Sequence, residues 1–149
     1  MKNNKTLEEI LECTNYETLS KSLLEKVQMI ANKIAIKLSR IDEVNRRISV
    51  NYKNADDIYV YVTVMAKDID GKIHLTFETA GRNKDGYLDT LYKTLCDFDS
   101  DNAVSVNEAI QFLGAAKGII EEINEIETKK VNEINKTLED TEEVLKDFS

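Results

Sequence analysis

The chain has 149 residues, 42% hydrophobic and 32% charged, a composition that suits one globular domain with its own core and excludes a disordered, charge-dominated protein. Its 20 Lys/Arg stand against 28 Asp/Glu, a formal charge of −8. That balance argues against direct nucleic-acid binding, which needs concentrated positive charge, and favours basic protein partners.

In chain order, "TLEEILEC" from Thr6 predicts a short helix, because Thr6 with Glu9 three residues on forms a capping-box pattern. After "TNY", the residues Leu19, Leu23, Val27, Ile30, Ile34, Leu38 and Ile41 recur at spacings of three and four. They lay one apolar face along a helix from about 17 to 44, closing a helical segment over 6–44. The period then drops to two. "RISVNYK" alternates through Ile48, Val50 and Tyr52, and "DIYVYVTVMA" sets Ile58, Val60, Val62 and Val64 against Tyr59, Tyr61, Thr63 and Met65. "KIHLTFE" answers with Ile73, Leu75 and Phe77 on one face, and "DIDG" between the two runs supplies a turn at Gly71. A β-hairpin plus one further antiparallel strand is expected over 46–80. "YLDTLYKTLC", residues 87–96, reads as a short helix. From Ser105 to Lys146 nothing breaks a helix outright; Gly114 and Gly118 only weaken it.

The expected fold is therefore α+β in a single domain, 1–149: N-terminal helices, a small three-stranded antiparallel sheet, a short helix, and one long C-terminal helix over 105–146. At 1.5 Å per residue that last helix spans about 63 Å. A compact chain of this size has a radius of gyration near ~15 Å, so the helix overhangs its domain. Its first half is broadly apolar (Ile110, Phe112, Leu113, Ala116, Ile119, Ile120, Ile123), as a core requires. Its second half narrows to Val131, Ile134, Leu138 and Leu145, a coiled-coil-like seam that needs a partner helix. The helix over 17–44 can supply one within the chain, and a second copy can supply one between chains as a homodimer.

One stretch carries a chemical pattern. "DFDSDNAVSVNE", residues 97–108, alternates Asp97, Asp99 and Asp101, then offers Ser105 and ends on Glu108 at its twelfth position. This order resembles an EF-hand calcium loop, in which oxygen ligands stand at positions 1, 3, 5, 7, 9 and 12. The resemblance implies a calcium site at those five residues. Asn102 replaces the glycine of the pattern, and no second loop exists to form a pair. The same letters also read as a helix cap, because Ser105 and Glu108 make a capping box and acidic residues favour a helix N-terminus.

The remaining chemistry is sparse. His74 is the only histidine and stands on the polar face of its strand, without sequence companions for catalysis or metal binding. Cys13 and Cys96 lack a C-x-x-C spacing and suit reduced, buried thiols. Asp56–Asp57 and Glu121–Glu122 read as solvated carboxylates. Tyr59 and Tyr61, sharing one strand face, offer large contact area with few rotors, either as a binding surface or as a second core layer. No apolar run is long enough for a membrane span and "MKNNKTLEEILE" lacks a signal-peptide core, so a cytoplasmic address is expected.

Charge is uneven: 10 basic against 7 acidic residues over 1–55, 5 against 10 over 56–102, and 5 against 11 over 103–149. The leading expectation is a non-enzymatic interaction module that uses its acidic surface, helical stalk and tyrosine face. Most concretely it would inhibit a basic nucleic-acid-handling protein, as small acidic anti-defence proteins of phages and mobile elements do, anti-CRISPR proteins among them. The alternatives are a calcium-responsive module built on 97–108, and a small-molecule binder or cryptic enzyme with its pocket between sheet and helices.

Overall fold

The protein is described by a computed structural model over residues 6–7, 14–82, 88–94 and 104–148, with backbone alone at 14, 81–82 and 88–94. The elements run α1 (Thr14–Ile41), β1 (Arg47–Lys53), β2 (Tyr59–Ile69), β3 (Lys72–Arg82), β4 (Leu88–Thr94) and α2 (Val106–Asp147). The fold is α+β. One antiparallel sheet has the order β1-β2-β3-β4, and both helices pack on one of its faces.

Helix α1 is the long stripe of spaced apolar residues. Val27, Ile34 and Leu38 are buried, with Leu23, Ile30 and Ile41 packed at the margin. Ala31 and Ala35 are fully buried between them and let the helix approach the sheet closely. Leu19 is 69% exposed, so the stripe meets the core only from its second turn onward. Most of the short helix expected over 6–13 lies outside the described residues.

The hairpin forms as its alternation requires. Ile69 pairs with Lys72 around a two-residue turn, where Asp70 (φ 51°) and Gly71 (φ 79°) both take the left-handed region. That turn matches the twist of the flanking strands, and Asp-Gly is its favoured sequence. β1 pairs with β2 from Arg47↔Met65 to Lys53↔Tyr59. The register puts Ile48, Val60, Val62, Val64, Ala66, Leu75 and Phe77 on the helix-covered face, all buried.

Residues Leu88–Thr94 correct the expectation of a short helix over 87–96. They form β4, paired to β3 from Thr76↔Thr94 to Arg82↔Leu88. Read as a helix, the segment has Leu88 and Leu91 one turn apart; read as a strand, it places Thr90, Tyr92 and Thr94 at a period of two. β3 is 11 residues long, and without β4 its outer edge would present unpaired backbone groups. Tertiary pairing along that edge decides between two weak local preferences.

Helix α2 has 42 residues and begins at an N-cap, Ser105. The Ser105 side chain accepts a hydrogen bond from the Glu108 N–H at 3.2 Å, and Glu108 Oε1 accepts from the Ser105 N–H at 3.1 Å. Ala109, Phe112, Ala115, Ala116, Ile119 and Ile123 are buried from the first half. Phe112 meets Phe77 edge-on, with ring centroids 5.9 Å apart, tying α2 to β3. Ile110 and Ile120 point outward, at 57% and 46% exposure, so the broad apolar composition of this half is only partly core.

Candidate interaction surface

Beyond Glu127, α2 leaves its own domain. Every residue from Thr128 to Phe148 is exposed, about 31 Å of helix at 1.5 Å per residue. Helix α1 ends at Ile41, and near that end the Lys37–Glu127 ion pair, at 2.6 Å, joins it to α2. Both partners of that pair are nearly half exposed, so it contributes about 0–1 kcal/mol. The segment over 17–44 reaches the seam only at Ile134, in the cleft it shares with Ile41 and Val44, and leaves the seam residues about half or more exposed.

On that bare segment Val131, Ile134, Leu138 and Leu145 are 48%, 50%, 58% and 63% exposed. With Thr141 and Phe148 they form one series, 131, 134, 138, 141, 145 and 148, alternating steps of three and four as coiled-coil seam positions do. The three threonines of the segment turn their hydroxyls inward: Thr128, Thr137 and Thr141 donate to the carbonyls of Asn124, Glu133 and Thr137 four residues back. Thr141 thus sits in the seam with its hydroxyl already satisfied. An open cleft of about 530 Å³ lies at the base of the bare segment, lined by Arg40, Ile41, Val44, Ile126, Lys130 and Ile134 among others.

The second surface is the sheet face opposite the helices. Tyr59 and Tyr61 lie there at 70% and 45% exposure, and Lys53 Nζ stands 5.5 Å from the Tyr59 ring centroid. Thr63 and Thr76 on the same face are buried; Thr63 shares a 2.9 Å hydroxyl contact with Ser49, and Thr76 donates to the Met65 carbonyl. Tyr52 is on the other side. Its register partner is Val60, and its ring packs against Gly114 of α2. Burial raises the Tyr52 pKa above 10.0, and its hydroxyl has no hydrogen-bond partner among the described residues.

Of the calcium-loop residues, Asp97, Asp99 and Asp101 lie outside the described residues. Ser105 and Glu108 are engaged in the capping box, which accounts for their spacing, and one carboxylate oxygen of the buried Glu108 lacks a partner among the described residues. His74 pairs with Lys67 across the hairpin, half-buried, with its Nδ1 enclosed. Among the described residues no group of three or more His, Cys, Asp and Glu side chains is placed to hold a metal. Cys13 and Cys96 lie outside the described residues. Asp56, Asp57, Glu121 and Glu122 are exposed, with Asp57 paired to Lys53 at 3.0 Å. No helix among the described residues is long and apolar enough to cross a membrane.

Two features escape a reading by composition. Thr141 and Phe148 extend the seam, a signal that strict step-counting from Val131 recovers. The cleft joins residues near 40 to residues near 130, and only the packing of α1 on α2 reveals it. No protein-family model, curated protein or solved structure matches the chain.

Proposed function

We propose that the chain is a non-enzymatic protein-interaction module of the cytoplasm, with the second half of α2 as its docking element. The observation that carries this reading is the bare seam: five large apolar side chains, Val131, Ile134, Leu138, Leu145 and Phe148, in coiled-coil register and each about half or more exposed. Full burial of such side chains is worth about 1.5–3 kcal/mol each, so leaving all of them in water is costly unless another protein covers them. The exposed tyrosine face offers a second contact area, and the net charge of −8 selects for a basic partner. A protein that itself handles nucleic acid has such a surface, and occupying it would inhibit that protein, the mode of action of anti-defence inhibitors such as anti-CRISPR proteins.

Affinity capture from the native host, wild type beside Ile134→Asp/Leu138→Asp, tests the reading. Charges in an apolar contact are strongly unfavourable, so the double variant should lose the captured protein while keeping the far-UV circular dichroism of the wild type. Equal recovery by both forms would remove the stalk from the function.

A further inference from the structure

The sheet ends on β1, whose outer edge pairs with no strand among the described residues. The ladder shows which of its backbone groups are free. Ala66 N–H donates to the Arg46 carbonyl at 2.9 Å and Asn54 N–H to the Ile58 carbonyl at 3.0 Å, so the even-numbered residues of β1 bond to β2. The N–H and C=O groups of Arg47, Ser49, Asn51 and Lys53 therefore point outward. Exposed edges are usually blunted by charge, proline or a bulge. Here the register runs unbroken from Arg47↔Met65 to Lys53↔Tyr59, and the residues between those two cations, Ile48 to Tyr52, carry neither charge nor proline. At the Lys53 end the edge opens on a cleft of about 580 Å³, between Tyr52 and Asn54 on one side and Asn107, Ile110, Gln111 and Gly114 of α2 on the other. The charged groups of that cleft, Lys53 and Asp56, balance, so it suits an uncharged occupant.

We infer that an extended segment of a partner protein adds to the β1 edge as a further antiparallel strand. Outward N–H and C=O groups at every second residue are matched only by another extended backbone. Side chains then set which segment fits. The residue opposite Arg47 lies on the open face of the sheet, where the exposed guanidinium selects a carboxylate. Lys53, at the other end, already has Asp57 at 3.0 Å and asks for none. The residue opposite Tyr52 lies on the helix side, and its side chain enters the cleft beside Ile110, which is 57% exposed. An apolar group fits there. A second copy of the chain is a poor occupant, because β1 paired with β1 in full register opposes Arg47 to Lys53 at both ends, and like charges directly opposite are destabilising. This inference goes beyond the docking role of the stalk and concerns a different surface.

The test uses the full-length protein and a fluorescein-labelled peptide, Thr-Leu-Thr-Val-Thr-Val-Glu, written to lie antiparallel from Lys53 to Arg47. Anisotropy should saturate below about 1 mM peptide. In the complex, hydrogen exchange at the Ser49 and Asn51 N–H groups should slow by about tenfold or more. N-methylation of the third and fifth peptide residues, whose N–H groups face β1, should abolish binding, whereas methylation of the fourth, which faces away, should be tolerated. Replacing the peptide Glu by Lys should weaken binding by about tenfold. Asn51→Pro removes an outward N–H without touching the β2 ladder, and should cost a similar factor in affinity. If that variant melts early, the methylated peptides still decide. Ile134→Asp/Leu138→Asp should bind the peptide as wild type does, which separates this site from the stalk. No saturation, or equal effects of methylation at the facing and averted positions, would overturn the inference.

Discussion

Gly114 and Gly118 lie one turn apart on α2, both over β1, and the structure assigns them opposite responses to alanine. At Gly118 an added Cβ would sit 3.6–3.8 Å from Val50, ordinary van der Waals contact. Nothing there opposes the intrinsic helix advantage of alanine over glycine, about 1 kcal/mol. At Gly114 the added carbon would lie 2.8 Å from Tyr52 Cε2 and 3.2 Å from Cδ2, too close without a shift of the ring. Overpacking of that kind costs about 1–3 kcal/mol and cancels or exceeds the helix gain. For a chain of this length 1 kcal/mol moves Tm by about 2–4 °C. Gly118→Ala should therefore melt a few degrees above wild type and Gly114→Ala at or below it, in calorimetry at one fixed protein concentration. Tyr52→Val should bring the Gly114→Ala substitution back into favour, with a coupling of at least about 1 kcal/mol in a double-mutant cycle. Equal stabilisation by both alanines, without coupling to Tyr52, would refute the placement of α2 on β1.

Four further outcomes follow from the buried tyrosine, the helix cap and the charge balance. Tyr52→Phe removes a buried hydroxyl that has no partner and should be neutral or stabilising by up to about 1 kcal/mol at pH 7. The Tyr52 pKa is raised in the folded state, so the fold holds that proton more tightly than the unfolded chain; wild type should lose stability relative to Tyr52→Phe as pH climbs beyond 10. Ser105→Ala breaks the capping box and should cost about 1 kcal/mol in urea unfolding, to the same extent with calcium or with chelator; a loss confined to calcium buffer would instead favour the EF-hand resemblance of 97–108. If the acidic surface steers a basic partner, stopped-flow association should slow as salt rises toward physiological strength, where charges are screened beyond about 8 Å; a salt-independent rate would leave the acidity as a solubility feature.

What the sequence discloses and what it hides divide along physical lines. Helices α1 and α2 and the β2–β3 hairpin are legible because their periods, turn residues and caps are local: spaced Val27, Ile34 and Leu38, the Asp70-Gly71 turn, and Ser105 with Glu108. β4 is not legible, since its seven residues become a strand only when the edge of β3 pairs with them. The facing of Tyr52 depends on register with β2, which places it under α2 rather than beside Tyr59 and Tyr61. The seam at Val131, Ile134, Leu138 and Leu145 is visible as a pattern, but its bareness is not, because that depends on where α1 stops. The cleft at Arg40 and Lys130 joins positions about ninety residues apart and leaves no local signature.

The central claim is that protein covers the seam of α2, and a photo-crosslinking amino acid placed in the seam asks this most directly. With the probe at Leu138, irradiation of the full chain should yield covalent protein adducts, whether to a second copy or to a host protein. At Lys136, about half a helical turn away from the seam, the same probe should yield few. Adducts at Leu138 in clear excess over Lys136 are the predicted result; equal or absent labelling at the two positions would contradict the account.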